Sequence, residues 1–125
     1  RLKLGALHPR RDFNYVADTV SGFLAAASTD ATIGEAVNVG SGQDITIGDL
    51  VELLGQLMGR EVVYEVDEQR LRPEASEVQR LLCDNTKARR LMGWEPVVSL
   101  EEGLQQTINW VLQHLEHYQA KRYAV

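Results

Sequence analysis

A chain of 125 residues, 44% hydrophobic and 25% charged, has room for one buried core and the composition of an ordinary globular fold. Its net charge of −5 argues against the broad basic footprint of a nucleic-acid binder, and no apolar run reaches the roughly 20 residues of a membrane span. The single cysteine, Cys83, excludes a disulfide framework and points to a reducing compartment, the cytoplasm. No signal-peptide pattern opens the chain, and Arg1 falls in what reads as mid-strand, which suggests a truncated or processed product.

In chain order, Leu2, Leu4 and Ala6 predict a short strand near residues 2–6, then a turn at His8-Pro9-Arg10 and an extended piece over 12–16. Residues 17–28 predict a helix: Asp18 caps or complements its start, and Val20, Phe23, Leu24 and Ala27 recur at helical spacing. A polar turn ends at Gly34, and Glu35-Ala36-Val37-Asn38-Val39 predicts a brief strand stopped by Gly40-Ser41-Gly42. Thr46-Ile47-Gly48-Asp49 has the form of a capping box. It opens a helix with the apolar stripe Ile47, Leu50, Val51, Leu54, Leu57 and Met58, closed by Gly59.

Residues 61–66 are β-branched and aromatic enough to form a strand. After a loop over 70–78 come a helix at about 84–92, capped by Asp84 and Gly93, and a long one opened by the capping box Ser99-Leu100-Glu101-Glu102. The core face of that last helix is Leu104, Ile108, Val111, Leu112 and Leu115, with Trp110 flanking, and the polar tail over 118–125 is expected to fray. The sum is an α/β fold, helix-rich with a few short strands, forming a single domain over residues 1–125 without repeats or linkers.

Several residues invite a chemical reading and have a plainer one. Gly40-Ser41-Gly42 lacks the third glycine of a dinucleotide-binding loop, Ile45 standing in its place, and reads as a turn. Tyr118 and Lys121 are one residue short of a Tyr-x-x-x-Lys dyad. His114 and His117 have no neighbouring ligands with which to hold a metal, and Cys83 reads as a small buried hydrophobe. Glu101 and Glu102 complement a helix dipole. No nucleophile, base and orienting group can be assembled, so no catalytic residue is assigned.

The loop Arg70-Leu71-Arg72-Pro73-Glu74-Ala75-Ser76-Glu77-Val78 is more suggestive. Guanidinium groups match phosphate through two parallel hydrogen bonds, and residues two apart in an extended segment face the same way. The residue before proline is biased toward extended geometry, which favours this for Arg72. Glu77 can accept hydrogen bonds from sugar hydroxyls. The alternative is a surface loop whose arginines pair with Glu74, Glu77 or the preceding acidic residues. Arg11-Asp12-Phe13 and Asn38 add donors at the ends of elements, where α/β proteins place ligands, and together they suggest an anionic ligand.

Taken in order, Arg11-Asp12-Phe13-Asn14-Tyr15-Val16-Ala17-Asp18, Asn38-Val39-Gly40, Arg72-Pro73 with Ser76-Glu77-Val78, Asp84-Asn85-Thr86-Lys87-Ala88, Leu91-Met92-Gly93-Trp94-Glu95-Pro96 and Ser99-Leu100-Glu101-Glu102-Gly103-Leu104 carry a resemblance. From about Lys3 to Trp110 the chain resembles the C-terminal portion of an NAD-dependent nucleotide-sugar epimerase/dehydratase of the extended short-chain dehydrogenase/reductase family. With Leu4-Gly5 and His8-Pro9 upstream, it is most similar to the branch of GDP-mannose and UDP-N-acetylhexosamine 4,6-dehydratases. The resemblance implies a partial extended short-chain dehydrogenase fold whose N-terminal Rossmann portion is absent. It implies that Arg11 and Arg72 clamp the diphosphate of a sugar nucleotide, that Asn38 adds a neutral donor, and that Glu77 contacts the ribose. NAD(P) and the catalytic groups belong to the family's N-terminal portion, so this chain alone is expected to bind no cofactor and to be inactive. A nucleotide-diphosphate sugar is the expected partner, with neither nucleic acid nor membrane. Without a Rossmann half to cover residues 20–27 and 104–115, self-association, for instance a swapped dimer, is expected. The open alternatives are a self-associating remnant or a stand-alone module that binds nucleotides or a partner without catalysis.

Overall fold

The structure, a computed structural model, describes residues 2–71 and 76–118. Two small sheets and four α-helices make up this part of the chain. Strand β1 (Leu2–Leu4) runs parallel to β4 (Tyr64–Val66), with Leu2 beside Tyr64 and Leu4 beside Val66. The second sheet is only two residues deep. Its central strand β2 (Arg10–Arg11) lies antiparallel to β3 (Ile45–Thr46) and parallel to β5 (Arg80–Leu81).

Helix α2 (Ile47–Met58) follows its sequence signals closely. The Thr46 hydroxyl accepts from the Asp49 N–H at 3.0 Å, and Arg60 N–H donates to the Gly55 carbonyl at 3.0 Å beyond a left-handed Gly59. Val51 and Gly55 on its inner face are buried, and the helix packs against α4 (Leu100–Gln113). Helix α4 begins at a complete capping box between Ser99 and Glu102. Helix α3 (Thr86–Met92) starts two residues later than the sequence suggests. Asp84 lies before it, where its carboxylate accepts the Thr86 N–H at 2.9 Å.

Helix α1 (Val16–Ala27) is turned the opposite way to its hydrophobic pattern. Asp18 and Gly22, one turn apart, are its buried residues, while Val16 is 65%, Phe23 72% and Leu24 66% exposed. Two contacts fix this orientation. A Cβ on Gly22 would lie 2.5 Å from a Val39 methyl carbon, so the glycine is what lets segment 37–39 lie on the helix. The Asp18 carboxylate accepts the backbone N–H groups of Val97 and Val98 at 3.2 and 3.0 Å, and so anchors the segment leading into α4. Asp18 therefore sits in the first turn, where it complements the helix start, and serves as a tertiary anchor rather than as the cap, a position held by Tyr15. Ser21 extends the contact by accepting from Trp94 Nε1 at 2.8 Å, and Trp94, Ala88 and Val51 form the buried apolar core.

Three further expectations differ from the structure. Residues 35–39 form no strand, because the described chain brings them no ladder partner and Val39 packs on Gly22 instead. The extended piece forms its ladder at Arg10–Arg11, ahead of residues 12–16, because its pairing partners end at Ile45 and Leu81. Helix α4 ends at Gln113, so Leu115 falls in the following 3₁₀ turn (Leu115–His117), and both it and Leu112 are exposed rather than buried. The tail over 119–125 lies outside the described residues.

Two outcomes are expected. Asp18→Ala should cost about 1–2 kcal/mol in urea unfolding, because it removes the charged acceptor of two part-buried backbone N–H groups, and Asp18→Asn should cost less. An Asp18→Ala protein as stable as the parent would remove the anchor from this account. The second outcome concerns acid. Hydrogen bonds from Lys87 to Glu35, from Arg10 and Arg80 to Asp44, from Thr86 to Asp84 and from Ser99 to Glu102 hold these carboxyls below their ordinary values of 4.5 or 3.8. A depressed folded-state pKa stabilises the fold above the unfolded pKa and loses that contribution as pH falls through the folded one. The urea midpoint should hold steady above about pH 5 and decline below about pH 4.

Candidate functional site

The described portion of the site forms where β2 meets the segment entering β5. Arg11 ends β2, and its side chain crosses to the neighbouring segment. Its Nη1 donates to the Arg10 carbonyl at 2.8 Å and to the Val78 carbonyl at 2.7 Å, while Nη2 donates to Glu77 Oε1 at 3.0 Å. The pair is largely enclosed, with the Arg11 side chain 22% and Glu77 12% exposed. None of these bonds uses Arg11 Nε. Among the described residues the guanidinium is thus held through its Nη groups and its Nε–H is left open, a donor suited to an anion. Glu77 is engaged through one carboxylate oxygen.

Asp12, next in sequence, gathers the surrounding backbone. Its carboxylate accepts from Ser41 N–H at 3.0 Å, Ser41 Oγ at 2.5 Å, Gly42 N–H at 2.9 Å and Cys83 N–H at 3.1 Å. A Cβ on Gly40 would lie 2.4 Å from Cys83 Cβ, so the glycine allows the loop and the end of β5 to touch. The N–H groups of Ser41 and Gly42 are consequently spent on Asp12. Residues 40–42 form an internal turn and do not fit a pyrophosphate cradle for a dinucleotide. Asn38 is exposed and lines the adjoining cleft with Asp12, Asn14 and Cys83. In the same cleft Asn14 Oδ1 is buried without a hydrogen-bond partner among the described residues.

The structure therefore brings Arg11 and Glu77 into direct contact and has Asn38 line the same cleft as Asp12. Arg72 lies outside the described residues. Arg70 belongs to a 3₁₀ turn (Glu68–Arg70) and approaches Asp67 at 3.6 Å, so it does not take the extended geometry imagined for it beside Arg72. Burial pushes the Cys83 thiol pKa upward, with Asp12 and Asp84 adding to the effect, as expected for an inert packed thiol. His114 stacks on Trp110 and next to His117 on the outer end of α4. Sequence reasoning missed Asp12 as a hub, and it missed Arg10, Asp44 and Arg80. Arg10 Nε reaches Asp44 Oδ1 at 2.8 Å, and Arg80 Nε pairs with Asp44 Oδ2. Asp44 lies 34 residues from Arg10 and 36 from Arg80 in sequence, and no local pattern links such positions.

The family model described as GDP-mannose 4,6 dehydratase matches residues 1–107. UDP-glucuronate 4-epimerase of Thermodesulfobacterium geofontis is 34% identical over 108 residues, which are 85% of this chain and 31% of the relative. UDP-glucuronic acid decarboxylase 1 of Xenopus tropicalis is 36% identical over 121 residues, covering 95% of this chain and 27% of the relative. The fold matches that of the Bacillus cereus UDP-glucuronic acid 4-epimerase, solved in complex with UDP-glucuronic acid and NAD. The TM-score is 0.77 at 28% identity, over 89% of this chain and 35% of that one. The chain thus spans about a third of the length of the relatives it matches. Its match to the GDP-mannose 4,6 dehydratase model over residues 1–107, together with these relatives, shows that the chain belongs to the nucleotide-sugar epimerase/dehydratase family of extended short-chain dehydrogenases/reductases.

Proposed function

We propose that this chain is the substrate-binding region of an NAD-dependent nucleotide-sugar 4,6-dehydratase or epimerase. Arg11 and Arg72 clamp the diphosphate, Asn38 adds a neutral donor, and Glu77 contacts the ribose hydroxyls. The observation that carries this reading is the Arg11 guanidinium, fixed by Val78 and Glu77 through its Nη groups, with its Nε–H unclaimed among the described residues. Glu77 fits both roles, because one carboxylate oxygen suffices for Arg11 and the other can accept a hydroxyl. The Bacillus cereus epimerase was solved with UDP-glucuronic acid and NAD, which supports a sugar nucleotide as the ligand class.

Catalysis needs more than this region holds. NAD supplies hydride transfer in the whole enzyme, and the residues present here contribute grip and orientation of the sugar nucleotide. The isolated chain binds no NAD and turns over no substrate. It works in the cytoplasm, where a lone thiol such as Cys83 stays reduced. The exposed Val16, Val20, Phe23 and Leu24 of α1 favour a second reading for the isolated chain, self-association, as a swapped dimer or otherwise, to cover an apolar face.

Titration of the purified chain with UDP and GDP should move the amide signals of Arg11, Asn38, Arg72 and Glu77, with binding weakened by salt, and NAD should move none. Arg11→Gln should weaken UDP or GDP binding on the order of tenfold, the loss expected for one charge-assisted pair. Silence toward both nucleotides would leave these residues as scaffolding. Sedimentation velocity should find a dimer or larger species at micromolar concentration. A compact monomer there would count against self-association.

A further inference from the structure

We infer that Asp44 is a positioning residue for the anion-binding Arg11: it pins the register of β2 against β5 and so places Glu77 and Val78 where they can hold the Arg11 guanidinium. The inference rests on the proposed role of Arg11 in binding a diphosphate. Its starting point is how little backbone holds these strands together. Besides the bonds within the two-residue ladder itself, the β5 segment is joined to β2 by bonds from Arg10 N–H to the Gln79 carbonyl at 2.8 Å and from Asp12 N–H to the Leu81 carbonyl at 3.0 Å. A parallel pair two residues long is marginal alone.

Asp44 supplies the missing specificity. Arg10 and Arg80 lie side by side in the parallel ladder, so their side chains share one face of the sheet. Between them sits the Asp44 carboxylate, only 5% exposed, on the residue just before β3. One oxygen takes Arg10 Nε at 2.8 Å, the other takes Arg80 Nε, and Arg10 Nη2 also donates to the Asp44 carbonyl at 3.2 Å. One carboxylate therefore ties all three strands of the sheet on the face opposite Arg11.

The consequence for the site is geometric. Arg11 follows Arg10 and points to the other face, where it is held by Val78 and Glu77, the residues just ahead of Gln79 and Arg80. A slip of β5 by one residue would carry Val78 and Glu77 about 3.3 Å along the strand and break both holds. With the Asp44 bridge intact such a slip would separate two arginines from a shared, enclosed carboxylate, which is costly. The Arg10–Asp44–Arg80 bridge is thus the register pin for the pair on the opposite face.

The test is a double-mutant cycle on the full chain, with UDP or GDP as the probe and the Arg11 Nε–H signal as a ligand-free readout. Asp44→Asn should displace the Arg11 Nε–H signal and weaken nucleotide binding roughly tenfold. In an Arg11→Gln background it should weaken binding little further, because the two residues act through one group. Arg80→Gln, which leaves the Arg10–Asp44 pair in place, should give a smaller effect in the same direction and serves if Asp44→Asn fails to fold. Unchanged Arg11 Nε–H and affinity, or an equal loss of affinity in the Arg11→Gln background, would overturn the inference, as would a loss of thermal stability alone. If the parent chain binds neither nucleotide, the diphosphate reading fails, and the Nε–H signal alone still decides whether Asp44 positions Arg11.

Discussion

The described fold turns on the carboxylate of Asp12. Four donors from the loop at 41–42 and from Cys83 converge on it, and through them the end of β2, the turn before β3 and the end of β5 meet at one point. Hydrogen bonds to a charged acceptor are stronger than neutral ones, and this cluster compensates for strands of two residues that could not hold one another by backbone bonds alone. Asn85 strengthens the same junction, its buried Nδ2 donating to the Gly40 carbonyl at 3.0 Å. Arg11 lies directly before Asp12, so this junction fixes the end of the strand that carries it. Polar groups with definite geometry, rather than a large apolar core, set where the site lies.

The helices tell the complementary story. In α1 the small and charged residues Gly22 and Asp18 face inward, and the large apolar residues face out. A hydrophobic stripe at helical spacing says that a helix will bury one face somewhere; it does not say against what. Here the inward choice follows from two specific fits, a glycine that admits Val39 and a carboxylate that captures the N–H groups of Val97 and Val98. The outward face leaves Val16, Val20, Phe23 and Leu24 exposed.

Family and reaction separate in this chain. An epimerase and a decarboxylase match it at nearly the same identity, so similarity across this third does not distinguish one reaction from another. Binding a charged ligand asks for a few guanidinium and amide donors at strand ends. The chemistry asks for a base, a proton relay and a cofactor in register with the sugar.

Local signals in the sequence determined what local forces decide. The capping residues Thr46 and Ser99 and the left-handed Gly59 and Gly93 mark helix ends because they satisfy terminal backbone groups within a few residues. The ordered motifs from Arg11 to Leu104 identified the family, and Arg11 and Glu77 stood out as partners for an anion and a sugar. Only the tertiary structure decided that Arg11 and Glu77, 66 positions apart, touch, that Asp12 is a hub, and that Asp44 lies between Arg10 and Arg80. It also decided that residues 35–39 form no strand and that α1 shows its apolar face outward. Each of these depends on what a distant segment brings alongside, and neither propensity nor periodicity carries that information.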